Sequence, residues 1–325
     1  MAEPAIQVDE VTKRFSVRVR RGRLRRERRE VLAVDGISFE LERGTIVGYL
    51  GPNGAGKSTT VKMLTGILVP SGGRIRVAGL DPSRQRLELA RRIGVVFGQR
   101  SQLWWDLPLR DSFDLLRHIY RVPAERHRAN LDRFTDVLAL APFLDTPVRQ
   151  LSLGQRMRGE LTAALLHDPE LVFLDEPTIG LDVVAKAAVR EFLAEVNRER
   201  SVTVLLTTHD LADIERLCSR LLIIDHGHLI WDGGIDELKR RYGQARTLVV
   251  DLEEPGPPVE VPGAQVVRTE GPRQWLAFRR DETSAAELIA AVAARARIVD
   301  VAIEETEIEE IVRRIYAAGA APPAT

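Results

Sequence analysis

Four groups of residues in this chain have the types and spacing to handle a phosphorylated ligand. The first is Gly51, Pro52, Asn53, Gly54, Ala55, Gly56, Lys57 and Ser58, followed by Thr59, which fits G-x-x-x-x-G-K-[ST]. Its glycines allow successive backbone N–H groups to converge on phosphate oxygens, and a helix starting at Ser58 adds the positive end of its dipole. Lys57 can then reach the β- and γ-phosphates of a nucleotide as a point charge, and the Ser58 hydroxyl can ligate Mg²⁺. The second group is Asp175 and Glu176, which close the apolar run 171–174. Asp175 can hold the Mg²⁺ of the nucleotide, while Glu176 can polarise an attacking water. The third is His209, after the run 202–206, placed to donate to a γ-phosphate; a lone histidine is more often structural. The fourth is Ser152 with Gly154 at a helix start, a second anion-accepting terminus without a lysine. The other five histidines show no ligand spacing, so no structural metal site is expected.

These residues need a parallel sheet to position them. Residues 45–50 are β-branched and apolar and lead into the glycine-rich loop, after which helical spacing runs to Gly66, giving strand, loop and helix. Residues 93–97 and 171–174 read as buried strands, the first ending at Gly98 and Gln99. Two carboxylates at a strand's C-terminal end lie where ligands of parallel sheets bind. Between these strands, residues from about 99 to 166 lose β-type runs and become helical. At the N-terminus, Ile6, Val8 and Val11 read as a short edge strand, and strand pattern resumes at 31–34 and 37–41. The arginine-rich stretch 16–30 between them is expected to be a solvated loop, with contact to anionic lipid or an acidic partner as the sharper reading. No aromatic residues interleave with these arginines, so nucleic acid is not expected.

Composition narrows the class. A chain of 325 residues has room for two domains, and its 47 basic and 47 acidic residues cancel, leaving no global field toward polyanions. The single cysteine, Cys218, excludes an internal disulfide and suits core packing in a reducing compartment. No apolar run approaches the ~20 residues of a membrane span. The protein should therefore be cytosolic or peripheral.

With these residues in place the chain resembles the nucleotide-binding subunits of ATP-binding cassette (ABC) transporters over residues 5–240. The Walker A loop is GPNGAGKS, Gln99 the Q-loop, LSLGQ (151–155) the signature, LVFLDE (171–176) Walker B, Gly180-Leu181-Asp182 the D-loop and His209 the H-loop. The sequence around GQRSQLWWDLP (98–108) and the C-terminal extension look closest to ABC-2 type exporters, with the viologen-exporter and daunorubicin-resistance groups nearest. The resemblance implies an α/β fold: a P-loop NTPase ABC ATPase core with an antiparallel β subdomain and a helical subdomain, plus a small C-terminal α+β domain. It also implies ATP and Mg²⁺ as cofactors, with Ser58, Gln99 and Asp175 around the metal and Glu176, Gln99 and His209 catalytic. Each ATP would be sandwiched in a head-to-tail dimer, homodimer or paralogous heterodimer, where Ser152, Gly154 and Gln155 serve the partner's γ-phosphate and Asp182 lines the seam. Integral membrane permease subunits of ABC-2 type would be the further partners. Two positions depart from the family pattern. Leu153 replaces the usual glycine of LSGGQ and must turn its side chain from phosphate, and Phe15 stands where a tyrosine usually stacks on adenine.

The resemblance places the ABC nucleotide-binding domain in residues 1–242, with its helical subdomain at about 99–166 and the Arg-rich insertion at 16–30. Residues 243–325 form the accessory domain, read as short strands, an alanine-rich helix, a strand and a closing helix. Trp104 and Trp105, side by side, cannot both face one helical core, so at least one is expected to be exposed toward a permease helix. Two function classes follow: an ATPase subunit driving a separate permease for export of a small hydrophobic or cationic, drug-like compound, and a soluble ABC ATPase not coupled to transport. The chain carries neither the second cassette of translation factors nor the long coiled coil of repair ATPases.

Overall fold

The computed structural model describes residues 3–21, 25–98, 101–208, 210–243, 245–279, 281–306 and 308–317, with backbone alone for 18–21, 25–29, 245 and 317. In chain order the first unit contains β1 (Ile6–Arg21), β2 (Arg25–Leu41), β3 (Ile46–Leu50), α1 (Lys57–Leu64), β4 (Gly72–Val77), α2 (Arg86–Ala90) and β5 (Ile93–Phe97). It continues with α3 (Leu109–Tyr120), α4 (Ala124–Val137), α5 (Leu153–Leu165), β6 (Leu171–Asp175), α6 (Val183–Arg200), β7 (Thr203–Thr207), α7 (Leu211–Leu217), β8 (Arg220–Asp225) and β9 (His228–Gly234).

The central sheet has the order β5-β6-β7-β3-β8-β9, and β5, β6, β7, β3 and β8 pair in parallel. Every residue of β3 and β7 is buried, in keeping with near-continuous runs such as Val204 to Leu206 in place of alternation. Because the strands run the same way, Leu50, Phe97, Asp175 and Thr207 finish at one edge, with Asp175 in register with both Phe97 and Thr207. A second sheet, β2-β1-β4, is antiparallel and packs Ile6, Val8, Ile37, Phe39 and Val77 into the core that also holds Tyr49, Val61 and Leu64.

The helical insert joins the core through α4. Phe134 meets Phe192 of α6 edge-on at 5.4 Å, Arg133 binds Glu195 (2.7 Å) and Glu199, and Asp168 accepts from Arg126, Asn130 and Arg200. At the end of α5, His167 stacks on Tyr120 at 3.9 Å and its Nε2 lies 3.0 Å from the Ile93 carbonyl. Burial pushes this imidazole down to about 4.

Two expectations about the N-terminal segment are corrected. The stretch 16–30 is not a loop: Ser16 pairs with Glu30, Arg18 with Arg28 and Arg21 with Arg25, so β1 and β2 continue as an antiparallel pair up to residues 22–24, which lie outside the described residues. The physical reason is that a ladder begun by apolar pairs such as Phe15 and Val31 satisfies backbone hydrogen bonds along the charged stretch as well. Nor is β1 an edge strand, since β2 and β4 flank it.

The chain divides into two compact units after Gly233, earlier than the change of composition at 242/243. The second unit begins with α8 (Ile235–Tyr242), then β10 (Ala245–Leu252), β11 (Ala264–Glu270), β12 (Arg273–Arg279), α9 (Ala285–Ala293), β13 (Ile298–Glu305) and α10 (Ile308–Ala317). Gly243, which ends α8, sits so close to α10 that a Cβ there would lie 3.0 Å from Ile311, which explains why this helix groups with the second unit. Its sheet, β11-β12-β10-β13, is antiparallel, and Leu288 and Val292 of α9 complete a core with Leu248, Val250, Leu276 and Phe278.

Candidate nucleotide-binding site

The turn that follows β3 is shaped by its neighbours' backbone. Gly56, the cap of α1, has φ 112°, a conformation closed to residues with a side chain, and a Cβ there would lie 2.6 Å from the Ala33 carbonyl oxygen. A Cβ on Gly51 would lie 2.5 Å from the carbonyl of Ile224. Ala55 donates to the Pro52 carbonyl (3.1 Å), and its own carbonyl accepts from Gly227 (3.0 Å), which in turn accepts from Asp35 (2.9 Å). Thr60 donates its hydroxyl to the Gly56 carbonyl and accepts from the buried Tyr49 hydroxyl, each at 3.1 Å.

This loop forms one wall of a cleft of about 610 Å³. Pro52, Asn53, Gly54, Gly56, Lys57, Ser58 and Thr59 line it, while Gly51 and Ala55 lie behind and set the turn. Asp175 and Glu176 line it too, together with Phe97 and Gly98. The Lys57 ammonium is buried and donates to the carbonyls of Gly51 and Pro52. Burial lowers its proton affinity below the ordinary lysine value, while the charges of Glu176 and Asp175 act in the opposite sense. It is a cation aimed into a cleft that two carboxylates share.

The two carboxylates are placed differently. Asp175 ends β6, where Thr207 of the neighbouring strand donates a hydroxyl hydrogen bond to it and fixes its orientation. Glu176 has φ 57°, left-handed for a residue with a side chain, and its N–H donates to the Thr207 carbonyl at 2.9 Å. Such a conformation costs roughly 1–3 kcal/mol and persists only where surrounding structure enforces it. Thr207 is a site residue that sequence reasoning missed. A buried group was missed as well: Asp213 accepts from Thr178, on the loop after Glu176, and from Arg190 of α6, while Lys186 donates to Asp210 (2.6 Å). No short-range spacing marks these partners, which come from separate elements.

The remaining residues lie apart from this cleft. Ser152 caps α5: its side chain accepts from the Gln155 N–H (3.2 Å), and the Gln155 side chain accepts from the Ser152 N–H (2.8 Å), a complete capping box. Gly154 follows in the first turn, and none of the three lines the cleft. Leu153 is half-exposed beside Gly180, where a Cβ would lie 2.2 Å from its side chain, so its methyls cover the chain after Glu176. Asp182 caps α6 by accepting from Ala185 (2.7 Å), flanked by the exposed Val183 and Val184. Phe15 is half-buried on β1 opposite Val31, with the Lys13 ammonium 5.1 Å from its ring centroid. Gln99 and His209 lie outside the described residues. Cys218 is buried at the end of α7, not within it, and burial pushes its thiol up to about 12.

The arrangement of a glycine cradle, a buried lysine and a strand-end carboxylate pair can hold a nucleoside triphosphate and act on its γ-phosphate. Comparison with known proteins agrees. A family profile described as "ABC transporter" matches residues 34–179. The chain is 38% identical over 256 residues to the daunorubicin resistance ATP-binding protein DrrA3 of Streptomyces coeruleorubidus, covering 79% of this chain and 76% of that protein. It is 38% identical over 234 residues to the Nod factor export ATP-binding protein I of Paraburkholderia xenovorans, 72% of each. Among solved structures, one titled as the ATP-binding subunit of an ABC transporter superposes with a TM-score of 0.63 at 25% identity, over 73% of this chain and 93% of that one. The chain belongs to the ATP-binding proteins of ABC transporters and is an ATPase.

Proposed function

We propose that this ATPase works as a head-to-tail pair, with itself or a paralogue, on the cytoplasmic face of the cell membrane, powering ABC-2 type permease subunits that export a drug-like compound. One observation carries the reading: Lys57 and Glu176 share one cleft, while the capped turn at Ser152 stands outside its lining. A chain that holds both halves of a site apart completes it only by lending one half to a second chain. Ser152, Gly154 and Gln155 would then meet the partner's γ-phosphate, with Asp182, Val183 and Val184 at the seam and Phe15 against adenine. The names of the relatives, daunorubicin resistance and Nod factor export, support export as the direction. No helix among the described residues is long and apolar enough to cross a membrane, in keeping with a separate permease.

In this reading Glu176 accepts a proton from the attacking water, and His209 and Gln99 contact the γ-phosphate. The Ser58 hydroxyl and the Asp175 carboxylate are hard oxygen donors that suit Mg²⁺, with Gln99 as a further ligand. Bound with the nucleotide, the ion would neutralise phosphate charge. Lys57 binds and orients the triphosphate. Glu176→Gln keeps these contacts and removes only the proton acceptor, so ATP binding should persist while turnover falls roughly 10²-fold. Light scattering should then show ATP-dependent dimers accumulating; turnover near the wild-type rate would reject the assignment.

A further inference from the structure

The chain leaving β5 is fastened to the helix that carries the Ser152 turn by one buried carboxylate. Glu160, on α5, is only 5% exposed. It accepts the Ser101 hydroxyl and the Gln102 N–H (3.2 Å), and the Gln102 side chain donates to the Glu160 carbonyl (3.2 Å). Burial raises this carboxyl's proton affinity, and the bonds from Ser101 and Gln102 oppose the rise. The neighbouring Gly159 is packed so tightly that a Cβ there would lie 2.8 Å from Leu109 and 3.2 Å from Leu103. One turn later α5 touches the sheet itself, where a Cβ on Gly94 of β5 would lie 2.2 Å from the Ala164 carbonyl. The cavity beside Glu160, about 260 Å³, shares Phe97 and Gly98 with the nucleotide cleft.

α5 is packed along most of its length: Met157, Gly159 and Leu161 to Leu165 are buried as well as Glu160, and Arg158 donates to the Leu138 carbonyl (3.0 Å). Among these contacts Glu160 ties the helix to the chain leaving β5, about 12 Å from Ser152 along the axis at 1.5 Å per residue.

We infer that Glu160 is a positioning residue: by binding Ser101 and Gln102 it sets the angle at which α5 leaves the sheet, and with it the place where the Ser152 turn meets a partner's nucleotide. The inference rests on the reading that this turn acts on the partner. Glu160 touches no phosphate and lies outside the cleft lining, so its effect should appear in turnover and dimerisation, not in nucleotide affinity.

Glu160→Leu keeps about the same volume but leaves the Ser101 hydroxyl and the Gln102 N–H without their acceptor; Ser101→Ala removes one bond from the other side and serves as the milder variant. Spin labels on Leu87→Cys and Leu153→Cys would report the angle of α5, with the buried Cys218 left unlabelled. In the full-length protein, Glu160→Leu should leave the affinity for a fluorescent ATP analogue within about twofold. It should shift or broaden the label distance and lower turnover about 10- to 100-fold, the scale of a misplaced group remote from the chemistry. Ser101→Ala should move both readouts in the same direction by less. An unchanged distance, or unchanged turnover, in folded Glu160→Leu overturns the inference. Ser152→Ala measured alongside separates the two levels: if it lowers turnover and Glu160→Leu does not, the positioning role fails, and if it has no effect, the reading of the turn fails.

Discussion

The Lys57 cleft and the Ser152 turn, which we propose as the two halves of the nucleotide site, are made by different kinds of interaction. The Lys57 side is built from contacts between distant parts of the chain: Gly56 against Ala33, Ala55 with Gly227, Glu176 with Thr207. The Ser152 side is built from bonds reaching three residues, between Ser152 and Gln155. The first half is a product of tertiary structure with backbone held in costly conformations, and the second is an ordinary helix cap. Damage to the first should remove stability and chemistry together, whereas damage to the second should separate them.

Gly56→Ala should be the most severe change. It forces a side chain into φ 112° and against the Ala33 carbonyl, at roughly 2–4 kcal/mol for strain and overpacking together. Thermal unfolding should shift downward and titration with ATP should show no binding; a variant that binds normally would break the comparison on its first side. Ser152→Ala should lose about 1 kcal/mol of cap stability. Nucleotide binding to the monomer should remain, while turnover falls by about tenfold or more if the contact we propose with a partner's phosphate is lost. Loss of monomer binding in this variant would place the turn in the same half as Lys57.

The smallest effect on solution chemistry is expected from a surface that belongs to neither half. Trp104 and Trp105 are both exposed, 38% and 53%, with Arg156 lying 5.9 Å from the Trp105 ring centroid. Paired exposed tryptophans beside the helical insert suit the burial of a permease helix. Replacing both with alanine should leave ATP binding and turnover of the isolated protein within about twofold, while weakening co-purification with the membrane subunits. Normal co-purification would remove them from that contact.

What the sequence made legible follows the same division. Gly51 to Ser58, with Asp175 and Glu176, stood out because their spacing is local and their strands are apolar throughout. The helix start at Ser152 was legible because a cap is written within four residues. The pairing of Arg18 with Arg28 was not, since nothing in a charged stretch reports that a ladder begun by Phe15 and Val31 continues through it. Thr207 as the partner of Asp175, and Asp213 as the partner of Thr178 and Arg190, were equally hidden, because hydrogen bonds between separate elements leave no periodicity. The packing of α8 with α10 is hidden for the same reason: composition changes only after Tyr242, and no local pattern reports a contact between two separate helices.

The bond from Gly227 to Ala55 has a consequence for how the protein is made. Residues 51–58 leave the ribosome early, yet the amide bonded to the Ala55 carbonyl belongs to Gly227 and the carbonyl against which Gly51 packs belongs to Ile224, both near the end of the first unit. Contacts so far apart in sequence close late, after the loop entropy between them has been overcome. During synthesis the cradle is an open segment of chain, and it gains its shape, and with it any grip on a triphosphate, only when the β8–β9 turn has emerged.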